Sequence, residues 1–262
     1  MKRKTLLLFP TALALTGAAP AAISLTNQDS VDFLGGSTDS HTFSSFDLTG
    51  GNAIAVTLGF ETPGGLADYS VTYGAESLTV AASAVDTGAG AQTAAVFYLI
   101  NPASSVADLT ISVPPFDRFT ASVVALSNVI GIASTGTDGS TDGTADLTLN
   151  YSGLAGDFLV AASMDNSFTF NADVAVDPAI SGDNTPLTAL QIVNGGTNPE
   201  GGSGAWAGPI GSSGSFTTTV DVHDNSSRNA GVAVVFSETV PEPSVALLGG
   251  LGLLGLLRRR RS

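Results

Sequence analysis

Between residues 22 and 238 the large apolar side chains recur at every second position rather than every third or fourth. In Ala53-Ile54-Ala55-Val56-Thr57-Leu58-Gly59-Phe60, the bulky Ile54, Val56, Leu58 and Phe60 share one face and small residues the other, the pattern of a strand buried on one side. Residues 108–113 and 216–222 alternate in the same way. Four longer apolar runs, 94–100, 121–126, 158–162 and 231–236, are too short for the helices that would compete with them and suit central strands covered on both faces.

Turn chemistry separates these runs: Gly35-Gly36-Ser37, Thr49-Gly50-Gly51-Asn52, Pro63-Gly64-Gly65, Asp138-Gly139, Asp142-Gly143, Asn194-Gly195-Gly196 and Gly201-Gly202-Ser203-Gly204. Short strands punctuated in this way predict an all-β body built as a β-sandwich or jelly roll. No linker composition interrupts it, so one elaborated sandwich is expected, with the Gly-rich residues 195–215 as a long loop.

The two ends depart from this pattern. Met1-Lys2-Arg3-Lys4 precedes an apolar run over residues 5–16 and small residues over 17–22, the order of a secretory signal peptide. A signal helix is expected there, cut by signal peptidase between Ala21 and Ala22. The alternative, an uncleaved anchor, asks a short apolar run to span a bilayer.

The other end reads Val240-Pro241-Glu242-Pro243-Ser244, an apolar stretch from Val245 to Leu257, then Arg258-Arg259-Arg260-Arg261-Ser262. Thirteen residues rise only about 20 Å as a helix, against about 30 Å of hydrocarbon. Four arginines on long stems reach the cytoplasmic interface and hold such a short helix in place. Gly249, Gly250, Gly252 and Gly255 strip it of bulk, so another membrane protein can approach closely. Two prolines fix φ and lack N–H donors, which keeps the segment before the helix extended.

This tail resembles the PEP-CTERM sorting signal, whose partner is exosortase, a multi-spanning membrane protease of Gram-negative bacteria. The resemblance implies that Pro241, Glu242 and Pro243 form the recognition motif, residues 245–257 the membrane segment, and Arg258, Arg259, Arg260 and Arg261 the retention signal. It further implies export through the inner membrane, a transient anchor there, and release to the cell surface or an exopolysaccharide matrix. The chain then divides into a signal peptide (1–21), a β-sandwich surface domain (22–238) and a sorting tail (239–262). A second resemblance, carried by Ser70-Val71-Thr72-Tyr73-Gly74-Ala75-Glu76-Ser77-Leu78 and Val96-Phe97-Tyr98-Leu99-Ile100-Asn101-Pro102, is to a β-sandwich module recurring in bacterial extracellular proteins. It spans residues 50–237 and implies a fold, not an activity; Ala75 stands where that module has a second glycine.

Charge narrows the choice of partners. Of 23 acidic residues only Glu242 lies in the tail, and of nine basic ones only Arg118 and Arg228 lie in the body, which leaves the body near −20. Such a surface repels nucleic acid and anionic lipid. With no cysteine, disulfides, thiolate metal sites and a cysteine nucleophile are excluded.

Candidate chemistry inside the body is sparse. His41 and His223 are far apart, and Asp221 and Asp224 beside His223 match no zinc spacing. Ser203 misses the nucleophile elbow because Ala205 ends its motif. Asp138, Asp142 and Asp146 form an oxygen-rich series, a candidate for calcium, although turn formation explains them as well. Trp206, the one tryptophan, either plugs the Gly-rich loop onto the core or stacks on a sugar ring from an exposed edge. Asn150-Tyr151-Ser152 and Asn225-Ser226-Ser227 match a glycosylation acceptor pattern. No catalytic constellation and no cofactor beyond calcium emerge, so the expected function is non-enzymatic: a structural or adhesive component of the cell surface or matrix. The alternatives are a carbohydrate-binding module using Trp206 and a secreted glycoside hydrolase using two carboxylates.

Overall fold

A computed structural model of the chain describes residues 21–34, 40–61, 66–86, 92–113, 118–140, 147–165, 187–193, 202–220 and 229–238. All of them fall in one compact unit, Ala21–Thr239. The expected signal helix, sorting motif, membrane helix and arginine cluster lie outside the described residues.

The described residues form antiparallel strands and one three-residue 3-10 turn, Leu66–Asp68, which bears out the all-β expectation. The first nine strands are β1 (Leu25–Leu34), β2 (Ser40–Asp47), β3 (Ala53–Glu61), β4 (Ser70–Tyr73), β5 (Glu76–Ser77), β6 (Thr79–Val85), β7 (Gln92–Ile100), β8 (Val106–Ser112) and β9 (Arg118–Leu126). They make an inner sheet in the order β1-β9-β3-β7-β6 and an outer sheet in the order β2-β8-β4-β5. The next seven are β10 (Val129–Ser140), β11 (Leu147–Gly153), β12 (Phe158–Asp165), β13 (Thr188–Val193), β14 (Gly202–Pro209), β15 (Gly214–Val220) and β16 (Asn229–Glu238). They make a second inner sheet, β10-β16-β12-β14-β13, and an outer pair, β11-β15.

Three separate cores make this a four-layer molecule rather than one sandwich. Ile54, Val56, Leu58, Phe97, Val123 and Leu109 fill the space between the first outer and inner sheets. Leu159, Trp206, Val235, Leu147, Leu149 and Phe216 fill the corresponding space in the second half. The remaining faces of the two inner sheets pack on each other through Ala53, Ala55, Ala94, Val124, Val160 and Val234. This middle core corrects the reading of β3 as buried on one side only. Its small residues face the second half, and Ala53 and Ala55 are as inaccessible as Ile54 and Val56. Small side chains let two sheets approach closely, so a face that looks solvent-tolerant in sequence becomes an interface.

The two halves repeat one topology. Substituting β10, β16, β12, β14 and β13 for β1, β9, β3, β7 and β6 converts one inner sheet into the other, strand for strand. The register agrees: Ala53 pairs with Leu126 and Ile100 in the first half, as Phe158 pairs with Phe236 and Pro209 in the second. Even an irregularity recurs, between Val80 and Ala82 opposite Phe97 and Val96, and between Ala189 and Gln191 opposite Trp206 and Ala205. Backbone bonds correspond as well, Asn101 N–H to Asn52 O in one half and Ile210 N–H to Asp157 O in the other. A shared register, shared bulge and shared loop closure identify a tandem structural repeat.

Two of the expected turns belong to strands. Asp138-Gly139 lies within β10, opposite Gly231 and Ala230 of β16. Residues 202–209 and 214–215 of the expected loop over 195–215 belong to β14 and the start of β15. β14 is paired on both sides, to β12 and β13. Two ladders satisfy the backbone of a Gly-rich segment whose own propensity favours turns, which is how tertiary context overrides it.

Candidate functional site

Because the strands run up and down, their ends gather at two opposite poles. One pole collects the start of the fold, the crossing between the repeats and the point where the chain departs for its tail. Here Ala21 and Ala22 are exposed, whereas Ile23 is buried and donates its N–H to Gly156 O. Ser127 N–H reaches Ser24 O, and Asn128 Nδ2 reaches Ala22 O. Ile23, two residues after Ala21, is thus built into the fold through its side chain and its N–H.

The crossing between repeats is clamped by Asn52. Its Oδ1 accepts the Val129 N–H at 2.9 Å and its Nδ2 donates to Val129 O at 2.7 Å. Asp157 occupies the matching place in the second repeat. Its two oxygens accept the N–H groups of Glu238, at 3.2 Å, and Leu154, at 2.8 Å. A carboxylate only accepts, so the second clamp lacks the donor that Asn52 supplies to the first.

Glu238 is the last residue of β16 and only 4% exposed. Its carboxyl lies over Gly156, where an added Cβ would stand 2.5–2.6 Å from the carboxyl atoms, and the φ of +100° at Gly156 also favours glycine. Among the described residues, Glu238 Oε2 has no hydrogen-bond partner. Burial first, and the charge of Asp157 second, hold this carboxyl above the usual glutamate range. Sequence reading passed over Asp157 and Glu238 because nothing in a single sequence marks two distant acids as neighbours.

The other candidates are dispersed. Trp206 lies on β14, 2% exposed, in the second outer core, where it takes the place that Phe97 holds in the first. This is the plug reading and corrects the sugar-stacking one, since a buried indole offers no ring face to a saccharide. Asp138 accepts the N–H groups of Gly139 and Thr148, a local role on β10; Asp142 and Asp146, the rest of the calcium candidate, lie outside the described residues. His41 sits on β2, edge-on to Phe43 at 4.6 Å, its pKa lowered by burial and partly restored by Asp29. His223 and Asn225 lie outside the described residues. Ser203 belongs to β14, and Asn150, on β11, accepts the Thr217 hydroxyl. Among the described residues no three histidine or carboxylate side chains gather as a metal site.

Beyond Glu238 the chain becomes recognisable. Residues 239–261 match the PEP-CTERM protein-sorting motif, starting at the residue after β16 ends. No curated protein and no solved structure matches the chain. The protein is thus one that carries a PEP-CTERM sorting motif: exported, sorted through exosortase, and held at the membrane transiently before release.

Proposed function

We propose that this protein is a non-enzymatic structural or adhesive component of the cell surface or extracellular matrix, presented as a rigid double β-sandwich and freed from its tail by exosortase. The observation that carries the reading is the direct junction between the sorting motif at residues 239–261 and the last strand of a packed β body. A protein whose delivery signal is discarded and whose remainder is a stack of closely packed sheets suits a mechanical or spacing role. The acidic surface, formally near −20 over the body, favours a hydrated matrix bridged by cations over contact with acidic polysaccharide alone.

Mass spectrometry of the protein from its host tests this. The expected mature chain starts at Ala22 and lacks Arg258 to Arg261, and a Glu242→Ala variant keeps them. An unprocessed parental chain in the surface pool would leave a permanent anchor in place of the sorting reading.

A further inference from the structure

The outward face of each outer sheet carries ranks of hydroxyl groups set by the strand register. On the first outer sheet, Ser40, Ser112 and Ser70 stand side by side across β2, β8 and β4. Two residues along, Thr42, Thr110 and Thr72 make a second rank, which Ser77 of β5 extends. The hydroxyls of Thr42 and Thr110 share a hydrogen bond at 3.1 Å. The alternating residues Phe43, Leu109, Ile111, Val71 and Tyr73 point the other way into the core, which fixes the hydroxyls outward. On the second outer sheet, Thr148 stands opposite Thr219, Asn150 opposite Thr217, and Ser152 opposite Ser215. The Thr217 hydroxyl donates to Asn150 Oδ1 at 2.8 Å, and Leu147, Leu149, Tyr151, Phe216 and Val220 fill the core behind.

None of the ranked side chains is charged or aromatic, and all but Asn150 are serine or threonine. Carboxylates stand beside the ranks rather than in them. Asp108 and Asp47 lie past the first set on β8 and β2, accepting the N–H groups of Ser45 and Thr49, and Asp138 on β10 accepts that of Thr148. A hydroxyl donates once and accepts twice, so one that is bonded to its neighbour keeps capacity for a ligand. Strands lie about 4.8 Å apart, and same-face residues about 7 Å apart along a strand, so hydroxyls recur at that interval in both directions. The two faces look opposite ways, because the four layers put the outer sheets on opposite sides of the molecule. At about 10 Å per sheet spacing, about 30 Å separates the two outer sheets.

We propose that the two hydroxyl faces bind extended, neutral polysaccharide, one chain on each side, so that the protein bridges and spaces polysaccharide chains. The chemistry of the faces selects this occupant. A polyhydroxylated chain offers donors and acceptors at close intervals and carries no charge, which complements ranks of uncharged hydroxyls. Acidic polysaccharide and nucleic acid are repelled by a body with a formal charge near −20. A second copy of this chain brings the same charge and finds in the ranks none of the large apolar side chains that fill the centre of a protein interface. With no aromatic ring to stack on a sugar, each contact is weak, and binding draws on repetition along the polymer. The inference gives the matrix reading its partner and rests on that reading.

Full-length protein, one chain per lipid nanodisc, is sedimented with powdered cellulose, chitin or mannan, and mixed with a soluble β-glucan for light scattering. The parent is expected to sediment with at least one powder and to raise the scattering of the β-glucan by bridging its chains. Thr110→Glu and Thr217→Glu each place a charge at the centre of one face. Either alone is expected to keep sedimentation and lose bridging, and the two together to lose both. Thr110→Ser keeps the hydroxyl and retains both activities. Circular dichroism checks folding, and Thr42→Glu and Thr148→Glu serve where a central charge unfolds the chain. A parent that sediments with none of the powders overturns the proposal, as does a double variant that binds like the parent. A parent that binds without raising the scattering, or bridging that survives in either single variant, overturns the two-sided arrangement. Binding to alginate as strong as to the neutral polymers overturns the chemical class. None of these outcomes depends on the tail, so binding by a protein that keeps its tail in the host would refute the location and leave the partner standing.

Discussion

Glu238 ends β16 with a carboxyl that its surroundings prefer neutral, at the last described position before the sorting motif. The sign of the resulting pH dependence is fixed. A carboxyl whose folded pKa is raised above its unfolded value, about 4.3 for glutamate, stabilises the fold fully below that value and loses the contribution as pH climbs through the folded value. The end of β16 is accordingly tighter in acid than at neutrality. Glu238→Gln keeps the shape and removes the charge, so thermal unfolding at pH 7 is expected at a higher temperature than for the parent, with the gap closing by pH 4. A gap of equal size at both pH values would assign the effect to packing instead. Asn52, the counterpart of Asp157 in the first repeat, shows the neutral clamp, in which an amide serves both polar groups of Val129.

At the scale of the element, β14 illustrates how a strand forms where composition argues against one. Gly202-Ser203-Gly204-Ala205-Trp206-Ala207-Gly208-Pro209 contains three glycines and no β-branched residue. Its ladders to β12 and β13 supply the backbone bonds, and Trp206 supplies the anchor, reaching into the core with Leu147, Leu149 and Phe216. Removing that side chain empties the largest buried site of the body. Trp206→Ala is expected to cost about 3–5 kcal/mol in denaturant unfolding while leaving any binding to polysaccharide unchanged, as measured by co-sedimentation. Loss of polysaccharide binding in a variant that still folds would restore the aromatic-platform reading.

The packing of whole sheets on each other governs the molecule. Each repeat alone would turn an apolar inner face to water: Ala53, Ala55, Ala94 and Val124 from the first, Phe158, Val160, Val232, Val234 and Phe236 from the second. Contiguous apolar surface of that kind drives association. Residues 22–128 expressed alone are therefore expected to elute as a dimer or larger species, and a soluble monomer of this fragment would show that the middle core is dispensable. The same packing predicts that the two repeats unfold together rather than in sequence, because neither covers the second face of its inner sheet without the other.

How much of this the chain announces depends on the range of the interaction. Alternation of side chains is local, so Ala53 to Phe60, 94–100, 121–126, 158–162 and 231–236 could be read as strands from residues in sequence. The tail was legible for the same reason: Pro241, Glu242, Pro243, the apolar stretch and Arg258 to Arg261 act in linear order, and the match over residues 239–261 reflects that order. The repeat left only a trace in sequence. Arg118, Val124 and Ser127 recur as Arg228, Val234 and Ser237 at equal spacing, while the residues between them have diverged. Whether the alanine face of β3 meets water or a second sheet, whether Trp206 is buried, and whether Asp157 lies beside Glu238 depend on partners about 30 to 180 residues away. The sequence by itself determined strands and destination, because both are written in neighbouring residues; the tertiary structure decided the layers and the buried acid pair, because each exists only where distant segments meet.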